Sequence, residues 1–138
     1  KKYASFFIKL LGHKAMYDTQ INKIAKGLFK PWGGCHPQDK INYKPGYQII
    51  NTDTSKNGGQ HWVALYITAS RIYVYDSYGR NTINLLKILS DESKSRQLRI
   101  VDSDRDAEQA DNSEICGQLC LAWLMMVKKH GIKTSLLV

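Results

Sequence analysis

The stretch Cys116–His130 constrains this chain more than any other. Leu119, Cys120, Trp123, Leu124 and Val127 recur at the three- and four-residue spacing of a helix with a wide apolar face, and Gly131 follows as a stop. A face that wide must be buried, so this helix is expected at the centre of the fold. The polar, acidic stretch Asp102 to Glu114 should be the loop that leads into it. Chain length agrees with one domain over 1–138: the 138 residues are 43% hydrophobic and 23% charged, an ordinary globular balance.

The other elements follow from periodicity. Ala4 to Leu11 carries Phe6, Phe7, Leu10 and Leu11 at helical spacing before Gly12. A second short helix should start with Asp18 or Thr19 as cap and present Ile21, Ile24, Ala25 and Leu28. Pro31 to Asp39, with its Pro-Trp-Gly-Gly-Cys-His-Pro run, reads as loop. Tyr47 to Asn51 and His61 to Thr68 read as strands, and Ala69-Ser70 turns the second back into Arg71 to Asp76 as a hairpin. Asn81 to Ser90 should be helical with Ile83, Leu86 and Leu89 inward, and Leu98 to Val101 should be a strand. The expected class is α+β, with a small, mostly antiparallel sheet packed against the helix that begins at Cys116.

Four residues carry candidate chemistry. Cys116 opens the buried helix, where unpaired N–H groups and the positive end of the helix dipole favour thiolate over thiol; the competing reading is a small buried hydrophobe. Cys120, one turn on, lacks that end effect and reads as packing. His61 starts a strand after Asn57-Gly58-Gly59-Gln60, a place where an imidazole can face a cleft. Asp76 ends the partner strand, so an antiparallel hairpin sets it at the same edge as His61, where it can accept the Nδ1 proton. A turn-capping aspartate before Ser77-Tyr78-Gly79 is the alternative, and both roles can coexist. Gln109, seven residues ahead of Cys116, can donate its amide to an oxyanion. Trp62 reads as core or as one wall of a site.

Other chemistries are poorly supported. Three cysteines at irregular spacing make neither a disulfide framework nor a zinc set, which points to a reducing setting. Asp102, Asp104 and Asp106 open like a calcium loop, but Ala107 and Ser113 stand where glycine and a bidentate glutamate belong. No phosphate-cradling loop occurs, and no run of about 18 apolar residues is available for a membrane span. The start, Lys1-Lys2-Tyr3, has no apolar signal core and reads as a processed product or an excised piece. The net charge of +8 is spread along the chain and favours non-specific contact with polyanions such as DNA.

Taken together, Gln109-Ala110-Asp111-Asn112-Ser113-Glu114-Ile115-Cys116-Gly117-Gln118-Leu119-Cys120, Gly58-Gly59-Gln60-His61-Trp62 and Tyr75-Asp76-Ser77-Tyr78-Gly79 resemble the adenain-type maturation proteases of viruses. These are relatives of the SUMO and ubiquitin-like-protein proteases. The resemblance spans about residues 47 to 127 and implies peptide hydrolysis through a thioester, with His61, Asp76, Gln109 and Cys116 as catalytic residues. It implies cleavage beside glycine in small-residue sites, with Trp62 and Gly59 at the substrate. Capsid or core precursors would be the substrates, in the virion and in the host cell, either a cytoplasmic virus factory or the nucleus. A monomer is expected, with no metal, no required cofactor and no membrane partner; DNA or a viral peptide is a candidate activator. Similar proteases occur in adenoviruses, virophages and large DNA transposons, and the Lys-, Asn- and Ile-rich composition points to a virophage-like source.

Two departures stand out. Asp76 is shorter than the glutamate common among adenain-type enzymes. No cysteine lies between Cys35 and Cys116 to tether an activating peptide, which leaves Cys35, read as lying in a loop, as the substitute. The alternatives are a protease removing ubiquitin-like modifiers from host conjugates and a non-enzymatic, nucleic-acid-associated virion protein.

Overall fold

The computed structural model describes residues 2–52, 61–79, 86–103 and 114–137. Among these, helices α1 (Lys2–Leu11) and α2 (Asp18–Leu28) precede strands β1 (Trp32–Pro37), β2 (Gly46–Asn51), β3 (Trp62–Ile67) and β4 (Arg71–Tyr75). Helix α3 (Lys87–Ser95), strand β5 (Arg99–Asp102), helix α4 (Cys116–His130) and the short α5 (Ile132–Ser135) follow. The strands lie in sequence order in one five-stranded sheet. The class is α+β.

The sheet is evenly mixed rather than mostly antiparallel. β2–β3 and β3–β4 pair antiparallel, whereas β1 runs parallel to β2 and β5 parallel to β4. β1 itself corrects the expectation of a loop from Pro31 to Asp39. Its glycines and Pro37 are tolerated because β1 lies at the end of the strand order, where ladder hydrogen bonds are needed on one side only. Between Trp32 and Cys35 the register slips, and Gly34 takes φ +101 there; a Cβ on Gly34 would meet the His36 ring at 2.5 Å.

Alternation along the strands explains why both faces are covered. Ile49, Ala64, Tyr73 and Tyr75 face the cluster that includes α1, α2 and α4. Ile50, Val63, Leu65, Ile67, Ile72 and Val74 face the other way, onto Leu86 and Leu89 at the start of α3. Helix α3 is displaced from its expected span: it runs on to Ser95, and residues 81–85 lie outside the described residues.

On α1 the buried residue is Phe7, with Tyr3, Ala4 and Leu11 partly buried beside it, while Phe6 and Leu10 point to solvent. The residue ahead of α2 is Tyr17, whose N–H donates to the Gln20 side chain at 2.9 Å; Asp18 is the first helical residue. Helix α4 packs along β3 and α1. Its Trp123 is 1% exposed, stacks on Tyr75 at 5.5 Å and donates its indole N–H to Ser135 O at 2.9 Å. Gly131 takes φ +86 and returns its N–H to Val127 O, closing the helix as expected.

Trp123→Ala should therefore cost about 3–5 kcal/mol, read as a lowered denaturant midpoint. Phe6→Ser, on the exposed face of α1, should shift it by about 0.5 kcal/mol or less.

Candidate active site

The antiparallel ladder of β3 and β4 ends at Ala64↔Tyr75, so His61, just ahead of β3, and Asp76, just after β4, lie beyond it at the same end of the pair. The contacts agree. The His61 and Tyr78 rings lie 4.8 Å apart, and His61 Nε2 lies 2.5 Å from Asp76 Oδ1. Asp76 also forms the turn, its Oδ1 accepting the Tyr78 N–H at 3.3 Å and its carbonyl accepting from Gly79 at 2.8 Å. The turn-capping and imidazole-holding roles therefore coexist on one side chain. One expectation is corrected: the carboxylate engages Nε2, not Nδ1, leaving Nδ1 as the nitrogen for another partner.

That partner is Cys116. Helix α4 starts at this residue and packs on β3, which brings its N-terminus to the end of the strand that His61 precedes. The Cys116 thiol lies near enough to His61, and to the backbone N–H groups of Trp62 and Gly117, for each of them to favour its charged form. Cys116 is 8% exposed, His61 6% and Asp76 4%.

Burial opposes charge on the thiol. The His61 hydrogen bond, the Trp62 and Gly117 N–H groups and the imidazole charge outweigh it, so the Cys116 pKa falls below its ordinary 9.0. Burial likewise opposes a charged His61, but the hydrogen bonds to Asp76 and Cys116 reverse this and raise its pKa above 6.5. Both shifts favour thiolate beside imidazolium. A thiolate attacks carbonyl carbon and an imidazolium donates a proton to a leaving group, so the cluster is suited to acyl transfer.

The other thiols behave oppositely. Burial pushes Cys120 well above 9.0, with the Cys116, Asp76 and Cys35 charges adding to it. Cys35 is pushed up to about 12 by burial and by Asp18. It sits buried in β1 rather than in an open loop, which makes it a poor tether for an activating peptide.

Trp62 is partly buried and gives its indole N–H to Met16 O at 3.0 Å. Gln109 and Gly59 lie outside the described residues, as does most of the stretch weighed as a calcium loop. Among the described residues, no three His, Cys, Asp or Glu side chains gather as a metal site, and no helix is long and apolar enough to cross a membrane.

Sequence reasoning missed Gln118 and the segment it holds. Fully buried, Gln118 donates through Nε2 to Gly12 O and Lys14 O, both at 2.9 Å. A Cβ on its neighbour Gly117 would stand 3.2 Å from Met16 Cβ, so the segment lies directly against the head of α4. These partners are more than a hundred residues apart in sequence, and no local pattern announces them. The local signal was a polar residue on the first turn of an otherwise apolar helix.

Iodoacetamide should label Cys116 fast, with peptide mapping showing Cys35 and Cys120 spared until unfolding. Its labelling should set in at a pH below that of an ordinary thiol, because the folded pKa is lowered. His61→Ala removes the largest lowering contribution and should move the onset upward. Gln118→Leu removes both hydrogen bonds to these part-buried carbonyls and should cost about 0.5–1.5 kcal/mol per bond in a denaturant melt.

The adenovirus endoprotease family model matches residues 37–135, which includes His61, Asp76, Gln109 and Cys116. No curated protein matches the chain. With nearly three quarters of its length matched, the chain belongs to the adenovirus endoprotease family and is a viral cysteine endopeptidase.

Proposed function

We propose that this chain cuts viral capsid or core precursor polypeptides during virion maturation, with Cys116 as nucleophile, His61 as base and acid, Asp76 as the group that orients His61, and Gln109 as oxyanion donor. The observation that carries the reading is the buried pair His61–Asp76, 2.5 Å apart, beside the Cys116 thiol that His61 draws below its ordinary pKa, in a chain of this family.

The Cys116 thiolate attacks the scissile carbonyl carbon, and the carbonyl oxygen becomes an oxyanion. The Cys116 N–H and the Gln109 amide stabilise that charge. His61 gives its proton to the departing amine, and the carbon–nitrogen bond breaks to leave a thioester. Neutral His61 then takes a proton from water, whose hydroxide displaces the thiolate and releases the acid. Asp76, held at Nε2, keeps Nδ1 turned to the sulfur and stabilises the imidazolium throughout.

The further parts of the proposal are consistent with the chain but rest on the resemblance. The resemblance assigns Trp62 and Gly59 to substrate binding, with cleavage at glycine-containing, small-residue sites. The enzyme acts as a monomer in the virion and in the host virus factory or nucleus, and needs no metal. The charge of +8 suits stimulation by DNA, or by an acidic viral peptide.

Cys116→Ala should abolish cleavage of a virion precursor and preserve the circular dichroism spectrum. Gln109→Ala should lower kcat by the equivalent of about 2.7–4 kcal/mol. Asp76→Asn should depress kcat more than KM, because the ring loses its acceptor and settles in the wrong tautomer. Full turnover by Cys116→Ala would refute the assignment.

A further inference from the structure

A cleft of about 830 Å³ opens beside the head of α4, between the segment that follows α1, helix α2 and Glu114. That is within the size range of binding pockets, about 300–1,000 Å³. Leu11, Met16 and Ile24 supply its apolar lining, and Lys14 and Lys23 stand on it as exposed cations. Among the described residues neither lysine has an ion-pair partner. Glu114, two residues before Cys116 in sequence, lines the cleft as well.

The wall of this cleft is fastened to the reacting groups. Met16 O accepts from the indole of Trp62, which follows His61 in sequence and whose backbone helps lower the Cys116 pKa. Gln118 holds the carbonyls of Gly12 and Lys14, and Met16 rests on Gly117. Whatever occupies the cleft is therefore held in a fixed relation to the sulfur.

We propose that this cleft is a specificity subsite for the substrate polypeptide, taking an apolar anchor side chain and an acidic side chain from the segment beside the scissile bond. This rests on the protease reading above. In an extended peptide, alternate side chains share a face, so an apolar and an acidic residue two apart enter together. The apolar one covers Leu11, Met16 and Ile24, and its carboxylate neighbour meets Lys14 and Lys23. The apolar lining of Leu11, Met16 and Ile24 disfavours a phosphate backbone as occupant. The net charge of +8 further raises the local concentration of acidic segments.

The test is a set of fluorogenic peptides built on one cleaved sequence, with Glu or Lys placed in turn at each position flanking the scissile bond. At one position Glu should exceed Lys in kcat/KM by roughly threefold to tenfold, the worth of one or two partly exposed ion pairs. The double variant Lys14→Glu, Lys23→Glu should reverse that preference at that position alone, while iodoacetamide still labels Cys116 selectively. The proposal is overturned if no position prefers Glu, or if the preference survives the double variant. It is also overturned, in favour of a nucleic-acid groove, if a short DNA duplex binds salt-sensitively through these two lysines without affecting peptide selectivity. Absence of hydrolysis together with unselective alkylation would instead refute the protease reading, and the subsite with it.

Discussion

The 2.5 Å contact between His61 Nε2 and Asp76 Oδ1 is the constraint on which the rest of the site depends. It fixes which ring nitrogen is left for Cys116, and it offsets the burial that would otherwise strip His61 of its proton. The contact exists because His61 precedes one antiparallel strand and Asp76 follows its partner, which brings both to the same end of the pair. The sheet then needs a cover, and the apolar face of α4 supplies it by lying along β3. The same packing that buries Trp123 against Tyr75 aims the N-terminus of α4 at the imidazole.

Three thiols in one small protein show how local that effect is. All three are buried, and burial alone raises every one of them. Only Cys116 has N–H donors and an imidazole to overcome the penalty. Cys120, one turn along the same helix, has lost the free N–H groups of the helix end and feels Cys116 as a like charge. Each pKa unit separating them amounts to about 1.4 kcal/mol, so a few hydrogen bonds suffice to make one sulfur reactive and leave its neighbour inert.

Much of this was legible in the sequence, because it rests on periodicity and on chain order. The apolar face of α4, the β3–β4 hairpin and the shared edge of His61 and Asp76 are local patterns. β1 was not legible: its glycines and prolines read as loop, and only pairing with β2 makes it a strand. Nor was the mixed character of the sheet, since strand direction at β1 and β5 is set by where the chain returns. Phe6 and Leu10 fit a helical stripe yet face solvent, because α1 rests on α4 through Phe7 and its neighbours instead. The ring nitrogen facing Asp76 depends on side-chain orientation, which strand order does not determine. Gln118 and the Gly12–Met16 segment depend on a contact across almost the whole chain. The roles assigned to Gln109 and Gly59 rest on sequence and resemblance, outside the described residues.

The central claim is that His61, held by Asp76, keeps Cys116 ionised where a free thiol is not. The direct measurement is the ultraviolet absorbance of thiolate against pH, taken as the difference between the native chain and Cys116→Ala. The account predicts a thiolate titrating below the ordinary thiol value, with Asp76→Ala moving that midpoint upward. A difference curve that rises only at the ordinary thiol pKa, or that ignores Asp76→Ala, would contradict it.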